Sequence, residues 1–544
     1  MAEGREDGMK PEKDGPVPKS ASGDAIAIHV RGVAAFREGR MEEAAAAFQR
    51  AAMMAPDVAD FHLNLGVALK ALGRLGDSVA CTVRAIAIRP DYAEAHFNLG
   101  NVRQQLGDIG AAAASFRRAV ELKPDYAEAD NNLGHLLDTQ GRHDEAVAAY
   151  RRALRARPGF VDAINNLGNA LLKMHRLDEA VDCFRRALDA DPDNPRLHLN
   201  LGGALQDEGR LDEALACYDK ALSLAADCAD AHLRRAAALL LGGRFEEGWA
   251  AYGWRWKSAE HGTRIPPPPG PPWDGSSVDG GRILLWTEQG FGDAIQFARF
   301  APLATARGGR VTVACSGPLM RLFGSVDAVD GIIARDGEPP PCDAQAPLMG
   351  LAGIFGTTLA TIPADVPYLA AEPALAAKWR GRLAEPDAFK AGLVWAGNRE
   401  HRNDRNRSLP VELLEPLLDV PGASFFSLQV GEAAAELTRL PAGSVRDLSP
   451  AIADFADTAA AIANLDLIIS VDTAVAHLAG ALARPVWVLL PFAADWRWLL
   501  NRGDSPWYPT ARLFRQQAPG DWPGVIKGVR EALCRAVAAA VPLR

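Results

Sequence analysis

The sequence predicts an all-α solenoid superhelix followed by an α/β region of two doubly wound lobes. A 34-residue period runs through the first half, a proline-rich break follows at 265–272, and beyond it apolar strand-like runs alternate with Ala/Leu-rich helical stretches. A chain of 544 residues, at roughly 150 residues per domain, asks for three to four units. A solenoid plus two lobes supplies three.

The period is strict. Pro56, Pro90, Pro124, Pro158 and Pro192 keep the 34-residue step, as do Asn64, Asn98, Asn132, Asn166 and Asn200, the glycines from Gly32 to Gly202 and the alanines from Ala51 to Ala221. An aromatic stands three residues before most of those alanines, Phe48, Phe116, Tyr150, Phe184 and Tyr218, and Tyr252 keeps the step before Arg255. Each position has a steric task in a helical hairpin. The small Gly lets the first helix approach its neighbour, and the aromatic fills the gap between hairpins. A second Gly (Gly39, Gly73, Gly107, Gly141, Gly209, Gly243) ends the first helix in a left-handed cap, and Pro closes the second helix. His175 replaces the cap Gly in the fifth unit and predicts a distorted turn there. This pattern resembles the tetratricopeptide repeat over residues 24–257, in seven units.

A lone hairpin cannot bury its apolar face, so the hairpins are expected to stack, with a groove lined by their first helices that suits a protein or peptide. Side-chain amides donate and accept, so the ladder Asn64, Asn98, Asn132, Asn166, Asn200 suits a ligand backbone. A brace between neighbouring repeats is the alternative. Gly248, Trp249, Tyr252, Trp254 and Trp256 form an aromatic end to the array, expected to be its joint to the next domain.

Residues 1–23 read as a disordered tail and 258–280 as a proline-rich linker holding a polyproline-II spacer. Strands are expected at Arg282–Glu288, Arg310–Cys315, Gly331–Arg335, Lys390–Ala396, Ser424–Val430, Leu465–Val471, Val486–Leu490 and Arg512–Arg515. Their near-continuous apolar character suits parallel strands buried on both faces. A break near 380–390 divides them into lobes at 281–385 and 386–544.

With 59 basic and 68 acidic residues, the chain has no global attraction for nucleic acid. No run reaches the 18 apolar residues of a membrane span and no signal-peptide core follows the charged start, so a cytoplasmic protein is expected, with peripheral membrane association left open. The seven cysteines are scattered without C-x-x-C pairing, which disfavours both a disulfide framework and a zinc site. No metal site is expected.

Three segments can carry chemistry. In the first, Ile283–Phe300, a strand runs into Gly290, Phe291, Gly292 and Asp293 and then a helix. The glycines there permit close approach of a ligand, and Asp293 suits either an N-cap or an acid–base group. In the second, Gly392–Ser408, a strand delivers a loop holding Asn398, His401 and four arginines, Arg399, Arg402, Arg405 and Arg407, a field suited to a diphosphate. In the third, Leu465–Pro491, Asp472, Thr473 and Ala474 fall at a helix start, where backbone N–H groups attract phosphate, with His477 one turn later.

The S-V-D-T-A-x-x-H pattern at 470–477, with the G-F-G-D loop at 290–293, is similar to family-nine glycosyltransferases, the heptosyltransferase group. The layout with G-L-V-W-A-G-N at 392–398 resembles bacterial proteins that fuse tetratricopeptide repeats to such a domain, over about residues 281–540. The resemblance implies a GT-B fold of two Rossmann-like lobes, with the acceptor on the N-terminal lobe and the nucleotide-sugar on the C-terminal one. It implies Asp293 as general base, and donor binding by Asp472, Thr473, Ala474 and His477. Gly290, Gly292, Asn398, Arg405 and Arg407 complete the expected phosphate site. No metal and no cofactor beyond the donor are implied. A protein or peptide acceptor in the repeat groove is the expectation, as in protein O-GlcNAc transferases. An inactive scaffold, or transfer to a surface polysaccharide or lipopolysaccharide, are the alternatives.

Overall fold

The computed structural model describes residues 23–258, 266–385, 388–401 and 403–540. The expected tail, Arg402 and the start of the linker lie outside the described residues. Among the described residues fourteen helices form seven hairpins: α1 (Gly23–Arg37) with α2 (Met41–Met54), α3 (Ala59–Ala71) with α4 (Leu75–Ile88), α5 (Ala93–Gln105) with α6 (Ile109–Leu122), α7 (Ala127–Thr139) with α8 (His143–Ala156), α9 (Val161–Lys173) with α10 (Leu177–Ala190), α11 (Pro195–Asp207) with α12 (Leu211–Leu224), and α13 (Ala229–Leu241) with α14 (Phe245–Tyr252).

The cap glycines of the hairpin turns have φ between +73° and +79°, a region open to residues without Cβ. His175 adopts the same left-handed turn at φ +57°, so the fifth hairpin keeps its geometry with a side chain in a disfavoured conformation. The repeated aromatic does not lie between hairpins, as expected, but inside its own. A Cβ on Gly100, Gly134 or Gly168 would come within 2.6–2.8 Å of the ring of Phe116, Tyr150 or Phe184 on the following helix. In the second hairpin Thr82 stands where the others have the ring, and its hydroxyl meets the same glycine position at 2.6 Å.

The chain divides into two compact units, Met1–Leu201 and Gly202–Arg544. The repeats run through α14, as expected, while the boundary between the compact units falls in the sixth hairpin. The reason is in the core: Leu233, Ala236, Leu240, Phe245, Trp249 and Tyr252 of the last hairpin belong to one continuous apolar core with the α/β residues. The aromatic end of the array serves as the expected joint. Trp249 packs edge-on against Trp496 at 5.3 Å and donates through Nε1 to the carbonyl of Thr357 at 3.1 Å.

Within the second unit, β1 (Arg282–Trp286), β2 (Arg310–Cys315), β3 (Gly331–Ala334) and β4 (Ala344–Pro347) form a sheet in the order β3-β2-β1-β4. A second sheet, β10-β9-β8-β5-β6-β7, contains β5 (Phe389–Val394), β6 (Ala423–Ser427), β7 (Val445–Asp447), β8 (Leu467–Val471), β9 (Val486–Leu490) and β10 (Ala511–Arg515). Every pairing is parallel. Counted within each sheet, the orders are 3-2-1-4 and 3-2-1-4-5-6, so each reverses direction beside its first strand, the place where doubly wound sheets open a crevice.

The eight expected strands are present; β4 and β7, both edge strands, were not legible. The expected linker is not a free spacer. Pro271 accepts from Gln345 N and Trp273 N donates to Gln345 O, both at 2.8 Å, so the proline-rich segment lines the outer edge of β4, where a residue without an N–H is tolerated. The lobe boundary also moves upstream of 385: Trp379, on the helix Pro373–Arg382, is buried and donates to Asp457 at 3.1 Å, which places that helix with the second sheet.

Candidate interlobe site

The carboxyl ends of β1, β5, β8 and β9 deliver the candidate residues. After β1, Gly290 in extended conformation (φ −67°, ψ 168°) caps α15 (Phe291–Phe297). Asp293 is thus the third helical residue and not the cap. Its Oδ2 accepts from Gly290 N at 2.9 Å, a favourable place for a carboxylate at the positive end of a helix. Gly292 serves packing where ligand approach was expected: a Cβ there would lie 2.9 Å from Cδ2 of His477 and 3.5 Å from Cα of Ala474. The absence of a side chain lets α15 rest on the helix Ala474–Ala481 that follows β8.

After β8, Thr473 caps that helix in extended conformation, and its hydroxyl meets that of Ser470 at 2.9 Å. His477 is only 4 % exposed, its Nδ1 2.9 Å from the hydroxyl of Tyr508 and its ring stacked on Trp498. Burial first, and the Arg497 cation second, push its pKa down to about 3. It is a neutral wedge and supplies no charge for a phosphate at physiological pH. Asp472 is pushed the other way, up to about 6, by burial and then by the neighbouring Asp495.

After β5 the arginine cluster disperses. Arg399 turns to Glu432 and Glu436 at 3.1 and 3.0 Å on the surface, Arg405 is exposed, and Arg407 reaches the β8 end, donating to the carbonyl of Asp472 at 3.3 Å. Asn398 turns its side-chain oxygen to Glu400 N in its own loop at 3.0 Å. Burial, and then Arg407, lower the pKa of His401, while Asp495 and Asp293 oppose this.

The residues that sequence reasoning missed come from the loop after β9, D-W-R-W at 495–498. Arg497 donates through Nη2 to Asp293 Oδ1, through Nη1 to Asp495 at 2.8 Å and through Nε to Gln296 at 2.8 Å. Its pKa is raised: burial opposes the charge, but Asp495 and Asp293 outweigh it. A charged pair flanked by two tryptophans between buried strands was the available signal. A second missed pair is Arg255 from the last hairpin with Glu288 after β1, joined by two bonds of 2.9 and 3.0 Å with both side chains under a tenth exposed. Besides the Arg255–Glu288 pair, Arg407 and Arg497 thus gather with Asp293, Asp472 and Asp495 at the carboxyl ends of these strands. Such a set can take a proton and hold an anion. No cluster of three metal-ligating side chains exists among the described residues.

In the first unit the asparagine ladder is committed to its neighbours. Asn166 donates to Asn131 at 3.0 Å, Asn200 to Asn165 at 2.8 Å and Asn132 to Asn101 at 3.0 Å, Asn64 meets His29 at 2.8 Å, and Asn98 donates to the carbonyl of Glu94 at 2.9 Å. Four of the five therefore brace one repeat against the one before, and Asn98 bonds within its own helix. Among the described residues no helix is long and apolar enough to cross a membrane.

Two family models match the helical half. One, a tetratricopeptide repeat, covers residues 97–159, 165–226 and 204–253, and another, a TPR repeat, covers 69–107. Protein FlbA of Caulobacter vibrioides is 29% identical over 293 residues, 49% of this chain and 48% of FlbA, so the chain spans about half the length of that curated relative. Among solved structures, MamA is 28% identical over 30% of this chain and 94% of its own at a TM-score of 0.28. A thermophilic tetratricopeptide protein of Thermus thermophilus is 28% identical over 34% of this chain and 100% of its own, also at 0.28. The period, the hairpins and the family models together make the helical half an array of tetratricopeptide repeats.

Proposed function

We propose that the second unit is a metal-independent glycosyltransferase of the GT-B type, moving a sugar from a nucleotide-sugar to an acceptor hydroxyl, and that the repeats hold a protein or peptide. One observation carries the reading: Gly292, the neighbour of Asp293 after the first sheet's β1, packs on Ala474 and His477 after β8 of the second, Arg497 after β9 bonds Asp293, and Arg407 after β5 reaches the carbonyl of Asp472. In this reading Asp293 takes the proton of the acceptor hydroxyl as its oxygen attacks the anomeric carbon. Arg407 and the N–H groups at Thr473 and Ala474 take up the charge of the departing diphosphate, with no cofactor needed. The protein works in the cytoplasm, where nucleotide-sugars are made. Asp293→Asn should abolish transfer and leave donor binding intact, measured by product formation and by calorimetry with UDP-, GDP- and ADP-sugars. Full activity in that variant would refute the mechanism.

A second reading, a repeat scaffold with an inactive α/β domain, is favoured by the ion pair that occupies Asp293 and by the buried, neutral His477. The same calorimetry separates the two, because a scaffold need bind none of the donors.

A further inference from the structure

We infer that Arg497 is the positioning residue of this crevice: it fixes the Asp293 carboxylate in place, and Trp496 beside it ties that placement to the last repeat hairpin. The role given to Asp293 rests on the sugar-transfer reading; the pairing itself does not.

Asp293 is held on both oxygens, by Gly290 N from its own helix and by Arg497 from the other sheet. Gln296, one turn further along the same face of α15, takes Nε of the same guanidinium. A planar fork gripping two residues of one helix sets rotation as well as distance, which a point charge does not. The fork is itself fixed, because Asp495 accepts from both the backbone N–H and Nη1 of Arg497, at 3.0 and 2.8 Å. Behind it, the guanidinium lies 4.2 Å over the Trp496 ring, and Trp496 packs edge-on against Trp249 at 5.3 Å and Tyr252 at 6.4 Å. An unbroken line of contact therefore runs from the last hairpin to the carboxylate.

In the transfer step the acceptor O–H proton passes to Asp293, the acceptor oxygen bonds the anomeric carbon, and the bond from that carbon to the diphosphate breaks with its electron pair on the phosphate. Arg497 gains and loses no proton. Arg497 is a buried cation paired with Asp293.

The test follows turnover of UDP-, GDP- and ADP-sugars by the full chain for the wild type, Arg497→Gln, Arg497→Lys and Trp496→Phe. Arg497→Gln should lower kcat about 100-fold with little change in donor KM. Arg497→Lys should recover only part of kcat. Trp496→Phe should lower kcat severalfold and leave KM alone. A merely structural arginine would cost yield or melting temperature and leave kcat per folded molecule unchanged, and that outcome in Arg497→Gln overturns the inference. Absence of turnover in the wild type sinks the sugar-transfer reading alone. The pairing is then decided by a crystal structure of Arg497→Gln: a displaced Asp293 carboxylate supports it, and an unmoved one refutes it.

Discussion

The inner hairpins of the first unit and the last hairpin of the second share one template and use it for opposite ends. In α7 and α8 the ring of Tyr150 lies on Gly134 and the buried positions serve only the stack of repeats. In α13 and α14 the glycine position is Ala236, and Phe245, Trp249 and Tyr252 turn their rings into the α/β core. Phe245 lies 6.0 Å from Trp507, and Trp249 lies 6.2 Å from Phe297. The difference teaches that the period fixes how a hairpin closes on itself, while the few residues outside it decide what the hairpin belongs to.

Three substitutions bear on that contrast. The largest effect is expected from Trp249→Ala, which removes the central ring of the joint and should destabilise the second unit by about 3–5 kcal/mol. Calorimetry should show the melting transition of the second unit fall while that of the first stays; an equal fall in both would dissolve the distinction. Gly134→Ala should cost about 1–2 kcal/mol in the first unit, because overpacking against a ring 2.7 Å away outweighs the helix propensity gained. A stabilised variant would show that the ring moves aside freely. The smallest effect belongs to His175→Gly, which relieves the left-handed side chain at φ +57° and should stabilise the fifth hairpin by about 0.5–1 kcal/mol, visible as increased protection of its amides from exchange.

How far the sequence could be read follows from where its information is local. The hairpins announced themselves because glycine, ring and proline recur at fixed spacing, and buried strands such as Val486–Leu490 did so because both faces are apolar. β4 and β7 escaped because three- or four-residue edge strands carry no period, and the docked prolines of 266–272 escaped because an extended backbone looks alike free or bound. At the site, Gly290, Asp293, Arg407 and Asp472 lie near strand ends that the pattern of runs had located. Arg497 did not stand out, since its partners Asp293 and Gln296 are about 200 residues away in the chain and only the folded sheets bring them together. Gly292 and Asn166 are ambiguous in the sequence, because a small residue or a regular amide looks the same whether it meets a substrate or a neighbouring helix.

The buried pair between Arg255 and Glu288 bears on how such an array can lengthen or shorten over time. Breaking it by removing one partner would leave an uncompensated charge in the interior, at about 3–5 kcal/mol. A duplicated 34-residue block inserted upstream of α13 leaves that contact intact. The same block inserted after α14 would separate it, along with every ring of the joint. Gains and losses of repeats are therefore expected on the amino-terminal side of α13, with the terminal hairpin kept alongside the α/β half.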